Sequence, residues 1–383
     1  MTHTIEMAPR REESPQHPEL AHRYRTLILG GLAILLLAMA MLMSYSSAFG
    51  NPTPNNVHLA VTGDGDTIVA LEQQGSLDLT VVASAANARA AVLDRDVDGA
   101  VVLPAAGQNA VVTTYIASGG GRGLGQAVSG IGDSIAAKLH ATNTTTDLAP
   151  LPAKDPVGSI EFYAILFVGL GAALGATVFG RILGTVDTAV KFVERSIVLV
   201  LFTGLLAGLI TLWVDSALDA VTVDPWAVFA VLWLTGVAIG EAVTGVAALG
   251  GMSAALILTL ALVILGNTSS GGPLGIHVLN NVFQTLYYVF PQGGALDLLR
   301  SVQYFDGAAA SAPLIRLGIW AAAGILFALA AMLLRSRREA TARRKGGAGT
   351  ELGHLPPAAP TRSHPQPAEL TTGSAFIPLA PSP

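Results

Sequence analysis

Cysteine is absent from this 383-residue chain. No disulfide can staple a domain, and no thiolate can act as nucleophile or metal ligand. Charge is scarce as well. Asp, Glu, Lys and Arg make up 12% of the residues, about half the share of an average soluble domain. The phosphate loop G-x-x-x-x-G-K-[ST] is missing, so any step here that consumes ATP needs another chain to hydrolyse it. The eight histidines, at 3, 17, 22, 58, 140, 277, 354 and 364, form no i,i+4 pair or other ligand spacing, so the sequence indicates no metal site. No base, nucleophile and orienting group cluster in one element, which points away from an enzyme. No cofactor and no nucleic-acid partner are expected.

What is present is apolar. Hydrophobic residues make up 51% of the chain, and they gather in six blocks of near-membrane length. The fold class is therefore an α-helical integral membrane protein whose first partner is a lipid bilayer. Residues 1–25, with Arg10, Arg11, Arg23 and Arg25 and three prolines, read as a disordered tail. Residues 26–48 read as an uncleaved first transmembrane helix, because the apolar run and the tail before it are too long for a signal peptide. Residues 49–158 are the only soluble-looking block. Strand-like runs at 57–61, 77–83, 100–103 and 111–117 and helix-like patterns at 86–93 and 124–140 make a small α/β domain. Its Thr- and Pro-rich end, 143–156, reads as a linker. Five more apolar blocks follow, at 162–180, 196–214, 226–248, 252–266 and 317–334, within a membrane domain spanning 159–335. Residues 336–383 read as a second disordered tail.

Lys and Arg set the orientation. They flank the first block, occupy the loop after the second (Arg181, Lys191, Arg195) and follow the sixth (Arg335, Arg337, Arg338, Arg343, Arg344, Lys345). The loop after the third block carries Asp215, Asp219 and Asp224 instead. Both termini are thus expected in the cytoplasm of a multi-pass plasma-membrane protein, with the α/β domain extracytoplasmic.

Residues 267–306 then fall on the outer side. A Gly/Ser/Pro opening leads into an aromatic helix pattern (Phe283, Leu286, Tyr287, Phe290) and, after a break at 291–294, into a second short helix where Asp297 and Arg300 stand at i,i+3 and are expected to pair. Irregular backbone at membrane depth must be covered by protein or water. The stretch therefore reads as a re-entrant or interfacial outer loop, a lid or gate cradled by the bundle. Asn267, Gly271, Gly272, Pro273, Pro291, Asp297 and Arg300 are its candidate functional residues. The plainer reading is an amphipathic interfacial helix without a ligand.

Glu241 is the only charge between Asp224 and Asp297. Two readings stand: a buried functional carboxylate within a span, or an interfacial one reaching headgroups. Asp187, Lys191, Glu194 and Arg195 form a charged patch on an inner loop, either a solvated helix face or a docking element for a cytoplasmic partner. Small-residue pairs Gly171/Gly175, Gly204/Gly208 and Gly236/Gly240 mark candidate helix–helix contacts. The run SGGGRGLG at 118–125 imitates a dinucleotide-binding turn, but it lacks an acidic ribose ligand about 20 residues on and a large enough sheet. A flexible glycine hinge before a helix is the better reading.

Three segments carry a family resemblance: AVLDRDVDGAVVLP at 91–104, NTSSGGP at 267–273 and PQGGALDLLRSVQYF at 291–305. With the order of spans and outer domain, they resemble the permease-like proteins of the type 2 ABC transporter superfamily. The closest branch holds the phage-infection-protein (Pip-like) bacterial membrane proteins. The resemblance covers the chain from first span to last. It implies six transmembrane helices, the α/β domain between the first two, and the outer helical loop before the sixth. It also implies a permease-like subunit that acts with a separate ATP-binding subunit to export a substrate, within a homo- or hetero-oligomer. The alternative is a non-transporting scaffold or receptor that binds a partner through its outer domain.

Overall fold

The computed structural model describes residues 17–72, 77–104, 111–184 and 186–350. Residues 1–16 and 351–383 of the expected tails lie outside the described residues. The described parts of both tails are helical. Helix α1 (His17–Phe49) starts well before position 26, and the last helix runs to Thr350. Both extensions carry Glu, Ala and Arg, which propagate a helix once the apolar span has nucleated it.

The α/β domain follows α1. Its strands are β1 (Val57–Thr62), β2 (Leu77–Val81), β3 (Gly99–Val102), β4 (Val111–Ile116) and β5 (Thr142–Asp147), in the order β2-β1-β3-β4-β5. Strand β1 runs parallel to β2 and β3, β3 antiparallel to β4, and β4 parallel to β5. Its helices are α2 (Gly65–Glu72), α3 (Ala85–Leu93) and α4 (Arg122–Lys138). Ser84 caps α3 by accepting from Asn87 N at 3.2 Å. Two elements depart from expectation. The segment read as a linker contains β5, whose Thr-rich sequence suits an edge strand but shows no apolar alternation. Helix α2 occupies a stretch assigned to no element.

One sheet face buries Leu59, Val61, Val101 and Val112 against Leu124 and Val128 of α4, and Val278 from the membrane region closes that core. The other face buries Ala60 and Ala100 against Ala88 and Val92 of α3, together with Phe305. Each of these two membrane-region side chains contributes about 1.5–3 kcal/mol by burial. The α/β domain is therefore completed from both sides by residues more than a hundred positions downstream.

Among the described residues, five helical segments are long and apolar enough to cross a membrane: His22–Phe49, Ile160–Ile182, Ala189–Ala217, Pro225–Ser269 and Ser311–Ala342. This is a multi-pass membrane protein with a small α/β region. Helix α5 is Ile160–Ile182 and α6 is Ala189–Leu212, extended by a π-helical turn at Trp213–Ala217. Asp155 accepts the Ser159 and Ile160 N–H groups and so starts α5, while Thr188 caps α6. Asp224 caps α7 (Pro225–Ala261), with Pro225 in its first turn.

The expected fourth and fifth blocks join into one helical segment. It extends through a π-helical turn (Leu262–Gly266) into the short α8 (Asn267–Ser269), past the expected end of the fifth block at 266. The chain nevertheless breaks at Gly251, where φ is 79° and ψ −179°. That left-handed backbone suits glycine because it has no Cβ. Near the start of the segment, Thr222 Oγ1 donates to Gln303 O at 2.8 Å. Near its end, Ser44 and Thr268 hydroxyls meet at 2.8 Å. Both contacts lie toward the α/β domain. Ala248, beside the break, instead accepts from Arg335 at 2.7 Å, and Arg335 also reaches Val186 O in the α5–α6 loop.

Then come α9 (Asn281–Val289), α10 (Pro291–Tyr304) and α11 (Ser311–Thr350). The break between α9 and α10 falls at Phe290. Gly293 and Gly294 are helical rather than part of the break, because Gly293 packs under Tyr287 and Gly294 under Arg316. Helix α10 is buried along most of its length. Leu296, Leu298 and Leu299 share a core with Phe162, Ile165, Val228, Leu232 and Leu317. The small residues foreseen as helix contacts serve that end. Gly171 and Gly175 of α5 receive Leu206 and Phe202, Gly236 and Gly240 of α7 receive Thr203 and Leu199, and Gly204 faces Trp233. Gly208 lies more loosely against Phe229.

Candidate functional site

The α/β domain meets the membrane helices at a polar junction centred on α10. Arg300, 4% exposed, reaches three chain segments at once. Its Nε lies 3.4 Å from Glu161 Oε2 at the start of α5. Nη1 donates to Gly120 O of the glycine-rich turn at 3.1 Å, and Nη2 donates to Gly272 O at 2.6 Å. A guanidinium suits this task because its planar fork carries five donors. Glu161, 3% exposed, also accepts from Gln303 Nε2 at 3.2 Å and from the Tyr304 hydroxyl. Burial, then the negative charge of Glu161, pushes the Tyr304 hydroxyl far above its ordinary pKa, so it stays a neutral donor.

Asp297 and Arg300 do not pair. Asp297 Oδ1 lies 2.5 Å from Arg95 Nη2, and Arg95 also donates to the Asp297 carbonyl and to the Ser301 hydroxyl. The i,i+3 spacing allowed a local pair, but each side chain is drawn to a partner on another element. Arg95, at φ 63° in the turn after α3, also stacks on Phe305 at 4.9 Å. Two ion pairs thus bolt α10 into the assembly, one to the α/β domain and one to α5.

The glycine-rich run 118–125 is a packed joint, not a free hinge. Ser118–Gly120 form a 3-10 turn and α4 begins after Gly121. A Cβ at Gly119 would strike the Tyr304 ring, and one at Gly121 would strike the Gly275 backbone. Leu124 N donates to Leu274 O at 2.7 Å. Its facing partner is the loop foreseen as re-entrant. There Gly271 (φ 86°) and Gly272 (φ 47°) turn the chain, and the Gly271 carbonyl accepts from Leu274 and Gly275. Pro273 offers its carbonyl to Gly123 at 3.5 Å, Asn267 is buried and bonds back to Val263 O, and Pro291 opens α10.

A cavity of about 300 Å³ lies in this junction, walled by the α/β domain, α9, α10 and the start of α11. Arg95, Asp98, His277, Tyr287, Asp297 and Arg316 line it. Arg316 donates to Tyr287 O at 3.1 Å and lies over the Tyr287 and Tyr288 rings. Burial raises the Tyr287 pKa far above the ordinary range, with Asp297 adding to the effect. Tyr287, foreseen on an interfacial helix without a ligand, is therefore a neutral cavity wall.

At the opposite end of the bundle the expected docking patch divides. Asp187 and Lys191 form an exposed pair at 2.7 Å, and that pair holds the Asp187 carboxyl below its usual range. Glu194 is exposed beside them. Arg195 is not part of the surface. It is 4% exposed and donates to Ala176 O and Gly184 O, carbonyls at the C-terminal end of α5 and just beyond it. Asp187 lies just before the Thr188 cap, and Lys191, Glu194 and Arg195 lie in the first two turns of α6. Glu241 is 3% exposed, and one of its carboxylate oxygens has no hydrogen-bond partner among the described residues. It belongs inside the bundle, not at a headgroup interface.

Glu161, Arg95, Asp98, His58 and His277 were not singled out in the sequence. The one signal available was Glu161 itself, a carboxylate at the very edge of an apolar block. No family model, curated protein or solved structure matches this chain.

Proposed function

We propose that this chain is the permease-like membrane subunit of a plasma-membrane export system driven by a separate ATPase. In this reading the Pro225–Ser269 segment crosses twice and reverses at Gly251, giving six crossings with both termini cytoplasmic and the α/β domain outside. The contacts of Thr222 and Thr268 toward the domain, against that of Ala248 away from it, support the double crossing. The positive flanks support the orientation. The absence of a phosphate loop from the sequence calls for a second, ATP-hydrolysing chain. Asp187, Lys191 and Glu194 are the exposed side chains placed to meet it.

The single observation that carries this reading is the junction cavity. Its walls come from the α/β domain, the α9–α10 pair and the last span, and Arg300 ties those walls to α5. A rearrangement of the bundle driven from the cytoplasmic side therefore changes the shape of an outward-facing polar chamber. Affinity purification of the full chain in mild detergent should recover an ATPase bearing a phosphate loop. Repeated purifications that recover none count against the export reading.

One observation favours the second reading, a receptor or scaffold. Helix α10 fills the core beneath the cavity with Leu296, Leu298 and Leu299. Loss of the gene separates the two readings. Altered accumulation of amphipathic compounds or lipids supports export, whereas unchanged accumulation with lost partner adsorption supports the receptor.

A further inference from the structure

The cavity rim holds a cluster that the export reading does not use. His58 on β1, Asp98 in the turn before β3 and His277 in the 3-10 turn Ile276–Val278 each offer a ligand atom, all within 4.8 Å of one another. The backbone brings them together. Asn55 N donates to His277 O at 2.8 Å and Thr53 N to Val278 O at 3.3 Å, so the chain entering β1 runs alongside the membrane-region loop. Asp98 is fixed from both sides: its Oδ2 accepts the His58 N–H at 2.8 Å, and its own N–H donates to His58 O at 2.9 Å.

We propose that His58, Asp98 and His277 bind a divalent transition-metal ion, with zinc the best match. Two imidazoles and one carboxylate are a borderline donor set. They suit zinc and its neighbours, and not magnesium or calcium, which take all-oxygen shells. The geometry is close to what zinc needs. At metal–ligand distances of about 2.0–2.2 Å, ligand atoms in a tetrahedral site stand about 3.3 Å apart, a spacing small side-chain rotations reach from the observed one. The two imidazole rings already lie 4.7 Å apart.

The orientation of His277 is the second observation. Its Nδ1 is buried and lies 2.7 Å from Asp98 Oδ2, yet the pair lacks the alignment of a hydrogen bond. Two atoms that crowd without bonding fit co-ligands aimed at a shared ion. Both side chains are 14% exposed, and the His58 side chain, at 40%, opens the site to solvent. Asp78 stands at that open side, directly across the β1–β2 pair from His58, with its Oδ2 3.4 Å from His58 Nε2. A carboxylate or water there completes four-coordination. Because the ligands come from the α/β domain and from the loop before α9, the ion forms a staple across the junction. It binds only the assembled state and stabilises that state by mass action.

The test uses the full chain in detergent, stripped with chelator and dialysed against buffered zinc chloride. Metal content is read by mass spectrometry and Tm by fluorescence. The expected result is one zinc per chain and a Tm that rises with zinc but not with magnesium. His58→Ala and His277→Ala should each weaken binding at least about tenfold and abolish the zinc-dependent rise. His140→Ala, at an exposed position in the turn between α4 and β5, should change neither. His58 is half exposed, so its variant keeps the test decisive if His277→Ala fails to fold. Zinc content in the native chain no higher than in His58→Ala, or an equal loss in His140→Ala, overturns the proposal.

Discussion

Replacing Arg300 by methionine tests the junction most severely. The substitution keeps most of the side-chain volume and the helix propensity of α10. It removes the charge that faces Glu161 and the donors to the Gly120 and Gly272 carbonyls. Glu161 keeps Gln303 and Tyr304, but its negative charge loses its only compensating cation among the described residues, at a site 3% exposed. Breaking a buried pair from one side costs about 3–5 kcal/mol, a large part of the roughly 5–15 kcal/mol typical of a folded chain. Arg300→Met should therefore melt far below the native protein in detergent, read by fluorescence-detected size exclusion after heating. Glu161→Gln in the same chain removes the stranded charge and should restore part of the loss, so the double variant falls short of the sum of the singles. Arg300→Lys should lie between, because an ammonium cannot span the three acceptors. An Arg300→Met protein that melts like the native one, or strictly additive single and double variants, refutes the clamp.

Gly324 of α11 lies against the backbone at Glu241 and Ala242, where a Cβ would overlap the chain. Gly324→Val should separate α7 from α11 and cost about 1–3 kcal/mol or more by overpacking, measured by the same thermal assay. Lys191→Ala breaks only the exposed i,i+4 pair with Asp187 and should shift stability by no more than about 0.5 kcal/mol. In the export reading the same variant weakens ATPase recovery while the protein remains folded.

Apolar helices were legible because hydropathy reports them directly, but the joining of the expected fourth and fifth blocks into one helical segment was not. Strands β1 and β3 were legible as apolar runs that the sheet buries, and β4 as a β-branched run with Val112 buried. Strand β5 was not, since its threonines are exposed at an edge and its pairing with β4 is what defines it. The stretch 267–306 stood out in the sequence, but the partners of its charges did not. Asp297 and Arg300 sit one helical turn apart and invite a local pair. Their true partners, Arg95 and Glu161, are set by how the α/β domain docks, which no local spacing encodes. Arg195 shows the same limit: in sequence it belongs to a charged patch, and only the position of the α5 end decides that it turns inward. His58 and His277 meet for a tertiary reason too, the pairing of residues 53–55 with 277–279.

In the export reading the α/β domain and the α9–α10 pair share one side of the membrane, and the Gly251 reversal lies on the other. The chain has no native cysteine, so single cysteines report without background. Ser134→Cys in the α/β domain, Thr285→Cys on α9 and Ser253→Cys just past the reversal all replace exposed residues. With a membrane-impermeant maleimide on intact cells, Ser134→Cys and Thr285→Cys should label at once, and Ser253→Cys only after permeabilisation. Labelling of Ser253→Cys in intact cells, or protection of Thr285→Cys while Ser134→Cys reacts, would contradict the account.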